Sequence, residues 1–253
     1  NYVSGGTVTM TVTVGQATPT FTWSNVSASF GDADAAIVAP TVAGSVAGTW
    51  SYASAATSVV AISGSSFDFA NAGSSVITAT FTPTNTTNYV SGGTVTMTAT
   101  VGLSNQSALT VTSTTGVYGA SITLATSGGT VAGTPSYVVT GTDCSEVGGV
   151  LSKSTAGDCF VTATLAGNSN YNSVSSSATT VTFAKAVQAS LTLTSTTGTY
   201  GATITLAFNG GSGTGSISYS VSGTGCSISS GLLSKTAAGD CSVTVTKATD
   251  TNY

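Results

Sequence analysis

The 253-residue chain contains no histidine and no arginine, and its four lysines stand against eight acidic residues. Without histidine a Ser-His-Asp triad cannot be built and most acid–base schemes lose their proton carrier, so an enzyme is not expected. Without arginine, and with lysines scattered singly, the chain has no row of cations to set against phosphates, which speaks against a nucleic-acid partner. The same scarcity speaks against a polybasic membrane contact, and no apolar run reaches the roughly 18 residues of a membrane span. Charged residues make up only 5% of the chain, yet 40% is hydrophobic. Those apolar residues alternate with Thr and Ser at the period of two that half-buried strands require. No helical pattern separates the strand-like runs, which excludes a parallel α/β fold. The chain opens on Asn1 with no signal peptide, so a mature product or an excerpt of something longer is expected.

What is present is repetition. Asn1-Tyr-Val-Ser-Gly-Gly-Thr-Val-Thr-Met10 recurs unchanged at Asn88–Met97. The Asn-Tyr pair returns at Asn170-Tyr171 and at Asn252-Tyr253, each 82 residues after the last, so that Tyr2, Tyr89, Tyr171 and Tyr253 form one series. At the same offset of 82, Leu109, Tyr118, Tyr137, Cys144, Lys153, Asp158 and Cys159 match Leu191, Tyr200, Tyr219, Cys226, Lys235, Asp240 and Cys241. The first unit is a divergent cousin: Phe30-Gly31 stands in place of Tyr118-Gly119 and Tyr200-Gly201, and Ala72-Gly73 in place of Ala156-Gly157.

Each unit reads as six or seven short strands. In the second they fall near 108–113, 120–126, 136–140, 149–152, 158–165 and 173–183, with turns at Thr114-Thr-Gly116, Ser127-Gly-Gly129, Thr155-Ala-Gly157 and Gly167–Asn170. Turn signals about every ten residues, within 80 to 90 residues, point to an antiparallel β-sandwich. Tyr after Asn opens the last strand of each unit, where its ring is expected to enter the core as in a tyrosine corner.

The cysteines fall as Cys144 with Cys159 and Cys226 with Cys241, both 15 apart. In a Ser/Thr-rich β chain this reads as two disulfides and an oxidising compartment. Zinc would have only two ligands per unit, so neither metal nor cofactor is expected. A unit this small buries about 60–65% of its unfolded surface and is marginal. A disulfide closing a 15-residue loop adds roughly 3 kcal/mol. The cysteine-free first unit instead carries nine aromatic residues between 16 and 102, against five between 103 and 187.

The runs Thr80–Tyr89 with Gly92–Met97, and Tyr200–Leu206 with Ala238–Val245, resemble the repeats of large bacterial surface proteins, the bacterial immunoglobulin-like and MBG-type repeats. The resemblance covers the whole chain. It implies an all-β array of tandem immunoglobulin-like antiparallel sandwiches, secretion to the bacterial cell surface, and a place in an adhesin stalk or filament. It specifies no binding partner.

If Asn-Tyr opens each last strand, the chain divides into four parts. Residues 1–15 are the closing strand of a preceding or neighbouring domain, and 16–102 is a domain without cysteine. Residues 103–187 form a domain with Cys144–Cys159, and 188–253 one with Cys226–Cys241 that lacks its last strand. The two deficits are complementary, and an open strand slot leaves backbone donors and apolar core uncovered. Two partners fit: continuation of one giant chain, the commoner arrangement for such repeats, or copies of the chain joined head to tail by strand donation. A ligand-binding adhesin module is the alternative function, with Trp23 and Trp50 as the surface for a glycan or host receptor. Among minor features, Asp32 and Asp34 read as a polar turn ahead of a calcium site, and Gln16, Gln106 and Gln188 as solvated linker residues ahead of side-chain hydrogen bonds across the domain junctions. Lys153 and Lys235 raise an isopeptide link to Asp158 and Asp240, although lysine ordinarily reaches for solvent.

Overall fold

The computed structural model describes residues 5–253; Tyr2 lies outside the described residues. The chain is all-β, built from short strands in small sheets that pair into tandem sandwiches. It forms two compact units, Asn1–Gln106 with Ala166–Ser173, and Ser107–Leu165 with Val174–Tyr253.

In the first unit a four-stranded sheet runs in the order Val26–Ser29, Gly93–Gly102, Gly73–Pro83, Gly48–Ser54. Opposite it lies a three-stranded sheet of Ala35–Ala36, Ser66–Phe69 and Val60–Ser63. Alternation decides the faces. Along Gly73–Pro83, Ser75, Ile77, Ala79, Phe81 and Pro83 are buried while Ser74, Val76 and Thr82 face outward. Ile77 meets Met97 and Ser75 meets Ala99 across the ladder, and these join Val60, Phe67 and Phe69 in one core. Ser75 is polar and only 3% exposed, but its hydroxyl pairs with Ser54 Oγ at 2.8 Å and accepts from the Ala56 amide at 2.9 Å. It occupies the ladder position that Cys159 holds in the next repeat.

The second unit holds the body of the next sandwich. Thr115–Val117, Thr179–Ala184, Gly157–Leu165 and Ser136–Thr140 form one sheet, with Val174–Ser175 also paired to Gly157–Leu165. Ile122–Thr123, Val150–Lys153 and Cys144–Val147 form the other. Phe183, Val181, Val161, Cys159 and Leu151 are the centre of its core.

Each closing strand takes one parallel neighbour: Gly116 sits beside Phe183 here, and Ala28 beside Val101 in the first sandwich. The strand ladders of the sandwich are thus antiparallel except along this edge, and isolated parallel bridges join Ala17 to Tyr89 and Ser104 to Tyr171. Thr114-Thr-Gly116 carries a turn signature, but its last two residues lie in the parallel edge strand. Glycine is there for space, since a Cβ on Gly116 would stand 2.5 Å from Ile122 Cδ1 and 3.1 Å from the Phe183 ring. Cys144–Val147, outside the strands expected from the sequence, pairs with Val150–Lys153.

The third sandwich repeats this plan with Ile217–Ser222 paired to Ser242–Lys247, and Ile204–Thr205, Leu232–Lys235 and Cys226–Ser229 opposite. Cys144–Cys159 and Cys226–Cys241 are disulfides, with Cα atoms 5.9 Å and 6.0 Å apart.

Candidate functional site

The recurring Asn-Tyr pair is presented by a side-chain turn. Asn168 Oδ1 accepts the amides of Asn170 at 2.8 Å and Tyr171 at 3.0 Å. Asp250 does the same for Asn252 at 2.8 Å and Tyr253 at 2.9 Å, and Asn85 for Thr87 at 3.2 Å and Asn88 at 3.0 Å. Such turns let a short polar side chain replace backbone pairing. Amide donors from Thr214, then Asn252 and Tyr253, favour the charged Asp250 carboxylate and hold its pKa down at about 2.

What the pair touches corrects the tyrosine-corner expectation. In the first unit, the Tyr171 ring lies edge-on to Phe30, with centroids 5.3 Å apart and planes at 81°. Asn170 Oδ1 accepts the Ala72 amide at 2.9 Å, and its Nδ2 donates to Asn71 Oδ1 at 2.9 Å. In the second unit the same contacts recur one repeat later. Tyr253 meets Tyr118 at 5.4 Å and 79°, and Asn252 Oδ1 accepts the Ala156 amide at 2.9 Å. The rings rest on the aromatic of the preceding repeat rather than in the core of their own. We call this set of contacts the clasp.

The strand leaving each sandwich is tied to the same loop. Ala17 N donates to Asn88 O at 2.9 Å, Ser104 N to Asn170 O at 2.9 Å, and Ala186 N to Asn252 O at 2.8 Å. The three glutamines, expected in solvent, add to this tie. Gln16 Nε2 donates to Thr86 O at 2.7 Å, Gln106 to Asn172 O at 2.8 Å, and Gln188 to Ala248 O at 2.9 Å.

Tyr200 and Ala238 are the third members of the series to which Phe30 with Ala72 and Tyr118 with Ala156 belong. Tyr200 is 66% exposed and Ala238 is exposed, whereas the earlier members are half-buried under their clasps. Alongside runs a groove of about 560 Å³, lined by Leu193, Tyr200, Leu233, Gly239, Cys241 and Val243. Cys159 and Val161 are 0% exposed beneath their closing strand, but their counterparts Cys241 and Val243 are half-buried. At the other end, residues 5–15 form no strand, and Val8, Met10, Val12 and Val14 stand 68–96% exposed.

The remaining sequence candidates are absorbed locally. Trp50 packs on Phe21 and Phe81 with centroids 5.1 and 4.9 Å away, and Trp23 lies 5.7 Å from Tyr52. Trp23 also donates its indole N–H to Val38 O at 2.7 Å. Both indoles are half-buried, and Trp23 lines a cavity of about 360 Å³ with Val38, Phe67 and Met97. Asp32 closes a turn by accepting the Ser29 amide at 2.7 Å. Lys153 is buried and donates to Thr142 O, while Asp158 accepts from Thr182 Oγ1 at 2.7 Å, so this lysine and carboxylate are engaged elsewhere. Among the described residues no group of three His, Cys, Asp or Glu is placed to hold a metal.

The fold class is therefore that of tandem immunoglobulin-type β-sandwich repeats with two disulfides, which belong to an oxidising environment. No protein-family model and no curated protein matches this chain. Among solved structures it is similar to mouse cadherin-23 EC22-24, at 11% identity and a TM-score of 0.34, covering 86% of this chain and 88% of that one. It is also similar to the S-layer protein rSbsC(31-844), at 16% identity and a TM-score of 0.29, covering 92% of this chain but only 39% of that one.

Proposed function

We propose that this chain is a structural segment of an extracellular bacterial fibre or adhesin stalk, built from successive sandwiches, in which no catalysis takes place. The observation that supports this reading is the clasp. An edge-on aromatic pair and the same Asn-to-amide hydrogen bond occur at two successive, equivalent positions. A joint remade at every repeat suits a molecule whose task is to extend. Short connections tied down by glutamine and backbone hydrogen bonds suit the same task better than flexible Gly/Ser linkers do.

Immunogold labelling with antibodies against this chain tests the proposal. Label spaced along surface fibres is the expected result. Label confined to the cytosol overturns the fibre reading, and label at a single distal spot favours a ligand-binding tip.

A further inference from the structure

We propose that Cys144 is a lysine-activated thiol, the sulfur through which an external disulfide oxidises the Cys144–Cys159 pair, with Lys153 as the residue that positions and stabilises its thiolate. Cys226 and Lys235 do the same one repeat later. This goes beyond the structural role above and holds whether or not the chain belongs to a fibre.

The observation is a lysine at each disulfide. Lys153 faces Cys144 across the ladder between Val150–Lys153 and Cys144–Val147, and its Nζ lies 3.8 Å from Cys144 Sγ. Lys235 faces Cys226 in the same register, with its Nζ 3.4 Å from Cys226 Sγ. Carbonyls hold each amine in place: Lys153 donates to Thr142 O, and Lys235 to Thr224 O at 2.7 Å and Asp240 O at 3.2 Å. Lys153 is only 8% exposed, although lysine ordinarily keeps its head in water. Space for the sulfur is reserved as well. A Cβ on Gly141 would stand 3.0 Å from Cys144 Sγ, and one on Gly223 2.9 Å from Cys226 Sγ.

The cation and the sulfurs are exchanged together. In the first sandwich Val60 pairs with Phe69 where Cys144 pairs with Lys153, and Ser75 holds the position of Cys159. Val60 and Phe69 are both buried, so the fold closes this position with an apolar pair where no disulfide is present.

Electrostatics divides the two sulfurs. With the S–S bond open, the ammonium beside Cys144 favours its thiolate and lowers its pKa from the ordinary value of about 8.5. The neighbouring carboxylates are engaged with other groups: Asp143 with Thr155 Oγ1 at 3.2 Å, Glu146 with the Gly149 amide at 2.5 Å, and Asp158 with Thr182 Oγ1 at 2.7 Å. Cys159 is 0% exposed in the core with Leu151, Val161 and Phe183, where burial favours the neutral thiol. Cys144 is half-buried and stays within reach of solvent. Its thiolate, the proton lost to water, attacks one sulfur of an external disulfide. That S–S bond breaks, a mixed disulfide forms at Cys144, and one thiolate leaves. Cys159 then gives its proton to water and attacks Cys144 Sγ, expelling the second thiolate. Two protein thiols are oxidised, and one external disulfide is reduced to two thiols.

Alkylation of the reduced full chain tests this. The chain is pulsed with iodoacetamide in native buffer across a pH series, and each cysteine is read by peptide mass spectrometry. Cys144 is expected to label ahead of Cys159, with a midpoint at least about one pH unit below that of an ordinary thiol. Lys153→Met is expected to raise the Cys144 midpoint by about one unit or more and to leave that of Cys226 in place, which separates a local charge effect from loss of fold. Lys153→Arg, which keeps the cation, is expected to keep the midpoint low. Acid-trapped oxidation by oxidised glutathione is expected to show the glutathione adduct at Cys144 and not at Cys159. Equal labelling of the two cysteines, a Cys144 midpoint that Lys153→Met does not move, or Cys144 and Cys226 midpoints that move together overturns the proposal.

Discussion

Removing the Asn170 side chain isolates what the clasp contributes. Asn170→Ala deletes the 2.9 Å bond from the Ala72 amide and the 2.9 Å bond to Asn71 Oδ1. Each such bond is worth about 1 kcal/mol net, and water replaces some of it at this partly exposed site. A loss of about 1–1.5 kcal/mol is therefore expected, which speeds local opening roughly tenfold. The assay is amide hydrogen exchange at Ala72, whose N–H is held by that one oxygen. The aromatic half is measured by a double-mutant cycle with Phe30→Ala and Tyr171→Ala. An edge-on pair at 5.3 Å gives an expected coupling of about 0.5–1.5 kcal/mol. Unchanged exchange at Ala72, together with a coupling below about 0.2 kcal/mol, would refute the idea that these contacts hold anything together.

Three further outcomes follow from the same geometry. Cys144→Ser with Cys159→Ser opens a 15-residue loop and is expected to cost the second sandwich about 3 kcal/mol, read by calorimetry. Gly116→Ala drives a methyl into Ile122 and Phe183 and is expected to lower denaturant stability by about 1–3 kcal/mol, whereas Gly119→Ala, with open space around it but a positive φ of 81°, acts only through backbone strain. Asp250 has its pKa lowered to about 2 from 3.8, so its loop is most stable above the higher value and loses that stability as pH falls through the lower one. A carboxyl titration followed by NMR should show a midpoint near 2, and Asp250→Asn should keep the turn at neutral pH because Asn168 already fills the same role in the preceding repeat.

The architecture was legible because it is written as recurrence. Equivalence of Phe30, Tyr118 and Tyr200, and of Ala72 and Ala156, could be read by aligning the units, as could the alternation that buries Ile77 and Val161. Equivalence, however, does not say who touches whom. Nothing in the spacing shows that Tyr171 meets the Phe30 of the preceding repeat instead of its own core, because a repeat constrains positions within a unit and is silent about its neighbours. Thr115–Val117 escaped notice because Thr-Thr-Gly is a turn signature, and only the bulk of Ile122 and Phe183 explains its glycine. Cys144–Val147 escaped because Cys-Ser-Glu lacks the β-branched alternation that marks strands.

The clasp has a sense of direction. Asn170 lies in the loop between Gly157–Leu165 and Val174–Ser175, but the amide it secures is that of Ala72, in the bend that begins Gly73–Pro83. Each sandwich therefore lends a stretch of its own chain to finish the one before it. Melt a single link, and the one on its amino-terminal side loses the loop that finishes it, while the link ahead keeps its own.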